Sequence, residues 1–228
     1  MPSFEDMRQG YQNLWNKMQV ERTAEAREAA QGIIEDKARY QNVEKATGVP
    51  WWFIGPVHHR ESGRSFAGIL HNGERIIGTG RKTSLVPAGR GPFASWDEAA
   101  VDALKLQKLD QVDAWTLPRT LYEFERYNGF GYVKHKINSP YVWAGTNLQQ
   151  KGKYTADGKF DPNHMDMQLG CAAMLSELMQ LDETIASQIG GGTVVTPGNL
   201  EGFTTDELII ELMSRNHVES VNVTYRKP

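Results

Sequence analysis

The chain has 228 residues, 39% of them hydrophobic, and a formal net charge of −3 at pH 7. This length accommodates one domain of about 150–200 residues with a small appendage, or at most two small domains. The net charge excludes a general electrostatic attraction to nucleic acid or to anionic membranes, and a single cysteine excludes an internal disulfide.

The N-terminal part of the chain has the pattern of helices. Residues 3–46 are predicted to be helical, because apolar residues recur at helical spacing from Tyr11 onward and Ala24–Ala30 is rich in strong helix formers. Gly48–Val49–Pro50 is expected to end this helix. A short apolar helix then carries the chain to Glu61.

Glycine and turn signals dominate the next segment. Residues 66–70 and 74–77 are predicted extended pieces around Asn72–Gly73, which is a strong hairpin signal. Ser95 and Glu98 form a predicted capping box that opens a helix reaching about Leu109. A further helix is predicted over Leu117–Tyr127, with Pro118 in its first turn.

The last third begins with a predicted loop, 128–162, which is rich in glycine and aromatic residues. Asp161–Pro162 is predicted to cap a helix over 163–181, and Gly190–Gly192 indicates a linker. Beyond it, Thr205–Arg215 is a predicted helix and Glu219–Tyr225 a predicted strand. The sum is a predominantly helical α+β protein. Its predicted parts are an N-terminal helical extension that packs on the core (1–47), a central domain (48–182) and a C-terminal appendage with its linker (183–228).

Glu61 is the residue with the most chemically informative position. It follows a nearly uncharged helix and precedes a polar turn, so that burial on one side should raise its pKa while the other side stays open to a substrate. This setting suits a general acid for a glycosidic bond. An inverting glycosidase needs a second carboxylate roughly 6.5–9.5 Å away to hold a water. Glu74 and Asp97 are the candidates for it, although Asp97 equally suits a helix first turn.

Several segments carry a resemblance to a known group of enzymes. The stretch from Val49 to Gly63 resembles the catalytic helix of goose-type lysozymes and related lytic transglycosylases. Residues 125–132 resemble a cleft motif of the same superfamily, with Arg126 where that motif has Ala and Phe130 inserted. Other similar segments are His71–Gly73, Asn138–Asn147 and Asp157–Pro162. The resemblance covers roughly residues 40–180.

The resemblance implies a lysozyme-like α+β fold with a small β-hairpin beside the catalytic helix. It also implies cleavage of the bond between N-acetylmuramic acid and N-acetylglucosamine, with Glu61 as the acid and Tyr127 and Asn128 shaping the cleft. Hydrolases of this superfamily recruit an acid near the hairpin, which favours Glu74, whereas its transglycosylases use one Glu and release an anhydro sugar. The other candidate substrate-binding residues are Ser62, Tyr141, Trp143 and Asn147.

The expected ligands follow from the same considerations. Peptidoglycan strands are the expected partner of a monomer that binds no nucleic acid and has no stable membrane association. We expect no cofactor and no metal, because the histidines match no spacing such as HExxH. The polar, acidic N-terminus predicts synthesis in a bacterial cytoplasm without a signal peptide, followed by action on the wall, as in an endolysin of a phage or prophage released through a holin pore. The alternatives are a lytic transglycosylase and a virion-associated wall-binding or structural protein.

Overall fold

The structure, a computed structural model, describes residues 2–156 and 158–189. The α-helices in these residues are Phe4–Lys17 (α1), Thr23–Glu35 (α2), Lys37–Thr47 (α3), Trp51–Ser62 (α4), Trp96–Leu106 (α5), Leu117–Asn128 (α6), Pro140–Trp143 (α7), Cys171–Leu181 (α8) and Glu183–Gln188 (α9). Two 3₁₀ segments cover Leu109–Gln111 and Phe130–His135. Strands Lys153–Ala156 (β1) and Lys159–Asp161 (β2) form an antiparallel hairpin. The described residues are mostly helical with one small sheet, which confirms the predicted α+β class.

The N-terminal helical region is broken where the sequence pattern predicted continuous helix. Residues 18–22 leave the helix between α1 and α2, and Val20 forms a single β-bridge with Thr146. The amides of Glu21 and Arg22 both donate to the carbonyl of Gly145, at 2.9 and 3.1 Å. The prediction was wrong here because these backbone groups pair with a loop more than a hundred residues away, which local periodicity does not reveal.

Helix α4 lies in the middle of the core and confirms the predicted short apolar helix. Its residues 51–58 are all buried, and it packs against α2, α3, α6 and α8. Gly55 allows the closest approach, since a methyl group there would lie 2.3 Å from Cγ2 of Ile33 on α2. The helix ends at Gly63, which has the left-handed backbone (φ 60°) typical of a helix C-cap.

The predicted hairpin at residues 66–77 is present only as a turn. One β-bridge joins Gly68 to Arg75, and the amide of Ile69 donates to the carbonyl of Glu74 at 3.1 Å. Within the described residues the paired strands are β1 and β2 instead, inside the segment that the sequence assigned to a loop. The β1–β2 register pairs Tyr154 with Phe160 and has a bulge between Tyr154 and Ala156.

Two helix starts were predicted correctly and one was not. The Ser95 side chain accepts from the Glu98 amide, which confirms Ser95 as the N-cap of α5, and the Glu98 carboxylate accepts from the Ala94 amide, one residue before the amide that a capping box uses. Helix α6 begins with Pro118 in its first turn, as predicted. Helix α8 begins at Cys171, so the predicted start near residue 163 was wrong.

The core extends to the end of the described chain. Ile185 and Ile189 are fully buried, and the indole N–H of Trp52 donates to Gln188 at 2.9 Å. The predicted boundary at residue 183 therefore has packed residues on its C-terminal side. The predicted linker at 190–192, the helix at 205–215 and the strand at 219–225 lie outside the described residues. None of the helices in 2–156 and 158–189 has the length and apolar character needed to cross a membrane.

Candidate active site

Glu61 lies in the last turn of α4, where burial and one tyrosine determine its chemistry. The hydroxyl of Tyr141, on α7, donates to Oε1 of Glu61 at 2.8 Å. Burial raises the pKa of Glu61 to about 7, although the Tyr141 hydrogen bond and the positive charge of Arg60 each lower it. Protein atoms crowd the carboxyl group, yet the residue keeps some contact with solvent. Near neutral pH this group exchanges a proton readily, as a general acid must.

An open cleft of about 610 Å³ adjoins Glu61. The cleft is lined by the end of α4, by the start of the 3₁₀ segment Phe130–His135, by helix α7 and by the β1–β2 hairpin. The residues that matter most for a ligand are Glu61, Asn128, Tyr132, Tyr141, Tyr154 and Gln168. A carboxyl group near its pKa beside several amide and phenol groups is a suitable lining for a polar, hydroxyl-rich ligand.

Tyr127 supports the cleft from behind and does not line it. Its hydroxyl donates to the carbonyl of Leu70 at 2.7 Å and thereby ties the end of α6 to the turn at residues 70–74. Burial and the nearby charge of Glu61 raise the pKa of Tyr127 well above its usual value, so the phenol keeps its proton. Of the two residues predicted to shape the cleft, Asn128 lines it, whereas Tyr127 supports it from behind.

A buried ionic network, which no sequence motif indicated, lies beside Glu61. Asp166 accepts from Arg60 at 3.0 Å and from Lys153 at 2.8 Å, and its side chain is only 1% exposed. Burial raises the pKa of Asp166, but the charge of Arg60 and the hydrogen bonds outweigh it, so the pKa is lowered. Arg60 also lies 4.8 Å from the ring of Tyr141. The network therefore fixes the position of Tyr141, whose hydroxyl binds Glu61.

An alternative explanation is that Glu61 is only a helix-end carboxylate paired with a neighbouring arginine. The salt bridges of the two neighbouring arginines argue against it. Arg60 forms its salt bridge with Asp166, and Arg64 forms one with Asp36 at 3.4 Å. Asp166 was missed because it falls in 163–170, which the sequence pattern assigned to a helix.

Glu74 is held by the loop that follows it. Its carboxylate accepts hydrogen bonds from the Ser84 hydroxyl and amide, the Leu85 amide and the Asn72 side chain, at 2.6–3.2 Å. These bonds, led by that of the Ser84 hydroxyl, lower the pKa of Glu74 to about 2. Gly73 lies against the end of α4, but Glu74 itself is absent from the lining of the cleft. A catalytic part for Glu74 stays a prediction.

The remaining predicted residues have other partners in the structure. Asp97 forms an exposed salt bridge with Arg39 at 3.4 Å and does not line the cleft. The hydroxyl of Ser62 donates to the carbonyls of its own helix end and of Ser65. Asn147 bonds to the backbone at residues 17 and 19 and so secures the α1–α2 connection.

The two aromatic residues predicted to bind the substrate, Trp143 and Tyr141, lie in different surroundings. Trp143 is 1% exposed, belongs to the hydrophobic core and does not line the cleft. Tyr141 is 3% exposed, and it contributes its hydroxyl to Glu61 while its ring packs over Arg60. Tyr132 and Tyr154, which the sequence analysis did not single out, are the tyrosines of the 3₁₀ segment and the hairpin that line the cleft.

His58, on α4, is packed among aromatic side chains of the core. His58 is buried with its Nδ1 3.0 Å from the Tyr40 hydroxyl, and burial lowers its pKa to about 4. In the part of the chain that the structure describes, no three His, Cys, Asp or Glu side chains are grouped as ligands for a metal ion.

A scan against protein-family models and searches of curated proteins and of solved structures each found no match to this chain. The residues of the site are therefore the basis for a functional assignment.

Proposed function

We propose that the protein is a peptidoglycan-cleaving glycosidase of lysozyme-like fold, with Glu61 as the proton donor. The observation that carries the proposal is a carboxyl group with a pKa of about 7 at the edge of an open cleft. Such a group is protonated often enough at neutral pH to donate, and it becomes a useful base once it has done so. The short helix ending at Glu61 and the glycine-marked end of α6 support the same assignment.

The hydrogen bond from Tyr141 suggests which oxygen of Glu61 reacts. Because the Tyr141 hydroxyl donates to Oε1, the acid carries its proton on Oε2. That proton passes to the glycosidic oxygen as the bond to the sugar C1 breaks, and positive charge develops on the sugar ring. In a one-acid mechanism the Glu61 carboxylate then accepts a proton from the group that attacks C1, whereas in an inverting hydrolase the second carboxylate accepts it.

The identity of that attacking group separates two enzymes. In a muramidase it is a water, held by a second carboxylate such as Glu74. In a lytic transglycosylase it is a hydroxyl of the muramic sugar itself, which closes an anhydro ring. Two observations favour the lytic transglycosylase. The Glu74 carboxylate is already occupied by hydrogen bonds from the loop that follows it. Of the two carboxyl groups among the described lining residues, Asp166 is ion-paired, which leaves Glu61 as the one that can react.

Digestion of purified sacculi tests the proposal. We expect Glu61→Gln to abolish release of glycan fragments while circular dichroism and the melting temperature stay close to wild type. Fragment release at the wild-type rate by this variant would refute the assignment. Mass spectrometry of the wild-type digest separates the two enzymes, since reducing muramic ends indicate hydrolysis and anhydro ends indicate a transglycosylase.

Glu74→Gln provides the second measurement. A general base contributes about 10²-fold or more to the rate, so a loss of that size would make Glu74 the base. A change of less than about threefold, which the one-acid mechanism expects, would end that role.

A further inference from the structure

The loop of residues 80–92, here called the basic loop, has an unusual tip. Leu85 is 56% exposed and Val86 is 84% exposed, although loop tips ordinarily carry small or polar residues. The two are adjacent in sequence and together present an aliphatic surface to solvent. Single exposed apolar residues need no explanation, but a paired aliphatic tip on an ordered loop indicates a surface for contact.

The tip is held in a defined conformation from both sides. Glu74 accepts hydrogen bonds from the amides of Ser84 and Leu85, directly at the tip. The buried Thr83 hydroxyl donates to the carbonyl of Pro87 at 2.6 Å and accepts from the Arg90 amide at 2.9 Å. Because these bonds already order the loop, it should lose little conformational entropy on binding.

The base of the loop is braced by a second set of polar contacts. The Arg90 guanidinium binds the Asp102 carboxylate of α5 through two nitrogens, and Nε2 of His71 lies 2.8 Å from the same carboxylate. The ring of His71 stacks on Phe93, with the centroids 5.5 Å apart. The C-terminal end of the loop is therefore fixed to the body of the protein.

The charge of this region is opposite to that of the whole chain. Residues 74–92 contain Arg75, Arg81, Lys82 and Arg90 against one acidic residue, Glu74, and so carry a net charge of +3, whereas the whole chain carries −3. Arg75, Arg81 and Lys82 are exposed, and none of them forms a salt bridge with another described residue. The net charge of the chain therefore does not describe what this surface attracts.

We propose that the basic loop is a docking surface for an anionic phospholipid bilayer, with Leu85 and Val86 entering the interface and Arg75, Arg81 and Lys82 facing the headgroups. Cations around an aliphatic tip match the two forces of peripheral membrane binding, which are burial of apolar area and attraction to anionic lipid. A soluble anionic polymer would use the cations but would leave the aliphatic pair in water. The contact is reversible, because two aliphatic side chains and three cations are a small anchor.

Vesicle flotation tests this proposal without any reference to catalysis. The intact chain is mixed with vesicles of phosphatidylcholine alone, or of phosphatidylcholine and phosphatidylglycerol in equal amounts. We expect binding to the mixed vesicles at low salt, and binding at least about tenfold weaker both to the neutral vesicles and in about 0.5 M salt. Failure to bind the mixed vesicles, or equal binding to both kinds, would overturn the proposal.

Variants identify the surface that binds. Arg81→Glu with Lys82→Glu, and separately Leu85→Ser with Val86→Ser, should each weaken binding by about tenfold or more. The matched controls are Arg8→Glu with Lys105→Glu, which change the charge equally at exposed helix positions, and Leu106→Ser, at a residue 44% exposed. Equal losses in the controls, or no loss in the Leu85 and Val86 variant, would contradict a bilayer contact through this loop.

Discussion

The hydroxyl of Tyr141 donates to Oε1 of Glu61 at 2.8 Å, and the two residues are 80 positions apart in the chain. Tyr141 is in turn held by Arg60, which lies 4.8 Å from its ring and is bound to the buried Asp166. Glu61 therefore receives its orientation through a series of contacts that begins at its own neighbour in sequence. The same tyrosine limits how far burial raises the pKa of the acid.

Replacing this tyrosine should change the pH profile in a defined direction. A general acid works in its protonated form, so wild-type activity should fall as the pH rises through about 7. Tyr141→Phe removes a hydrogen bond that lowers the pKa of Glu61, so its alkaline limb should lie at higher pH. We also expect a rate lower by about tenfold at the optimum, because the carboxyl group loses its orientation.

The control for that experiment is Tyr132→Phe, which removes a hydroxyl from the cleft lining without touching Glu61. Its alkaline limb should coincide with that of wild type. A Tyr141→Phe profile displaced to lower pH, or not displaced, would contradict the positioning role of Tyr141.

Asp166 and Asp97, which each pair with an arginine, should differ greatly in their contributions to stability. Asp166→Asn leaves the guanidinium of Arg60, 6% exposed, without its counter-charge, which should cost about 3 kcal/mol and lower the melting temperature by about 6–12 °C. Asp97→Asn removes an exposed pair with Arg39 and should cost less than about 1 kcal/mol. Calorimetry of both variants measures the difference, and equal melting temperatures would refute the structural role of Asp166.

The Asp97 variant also tests a catalytic candidate. Because Asp97 lies outside the cleft lining, Asp97→Asn should digest sacculi within about threefold of the wild-type rate. A loss of about 10²-fold would restore Asp97 as the second acid.

Gly55, at the centre of the fold, and Gly10, on the exposed side of α1, provide a matched pair for testing how tightly the core is packed. Gly55→Ala places a methyl group 2.3 Å from the Ile33 side chain, so α2 and α4 must separate, at a cost of about 1–3 kcal/mol. Gly10→Ala, in the exposed part of α1, meets nothing within 4 Å and should stabilise the protein by about 0.5–1 kcal/mol. Denaturant unfolding of the two variants should give changes of opposite sign, and a stabilised Gly55→Ala would show that this crossing has room.

What the sequence predicted correctly depends on residues close together in the chain. The Ser95 N-cap, the proline start of α6 and the short apolar helix leading to Glu61 are local signals, and all three are confirmed. The position of Glu61 at a helix end indicated the raised pKa of its carboxyl group for the same reason. These features need no knowledge of the rest of the fold.

What the sequence did not predict depends on partners that are distant in the chain. The break at residues 18–22 forms because their backbone groups bond to residues 145–147. Residues 162–170 stay non-helical, and Asp166 within them binds Arg60 and Lys153. The displaced hairpin and the burial of Trp143 likewise follow from tertiary packing, which overrides local propensity.

The long-range pairs also have a consequence for how the protein is made. Helix α1 packs on α6, with Tyr11 and Glu125 bonded across 114 positions, and Lys37 of α3 binds Asp182 across 145. A chain that leaves the ribosome N-terminus first exposes its early helices well before their partners are translated. Folding of the core, and with it the assembly of the site around Glu61, should therefore begin only after residues up to Asp182 have emerged, and the many non-local contacts should make it slow.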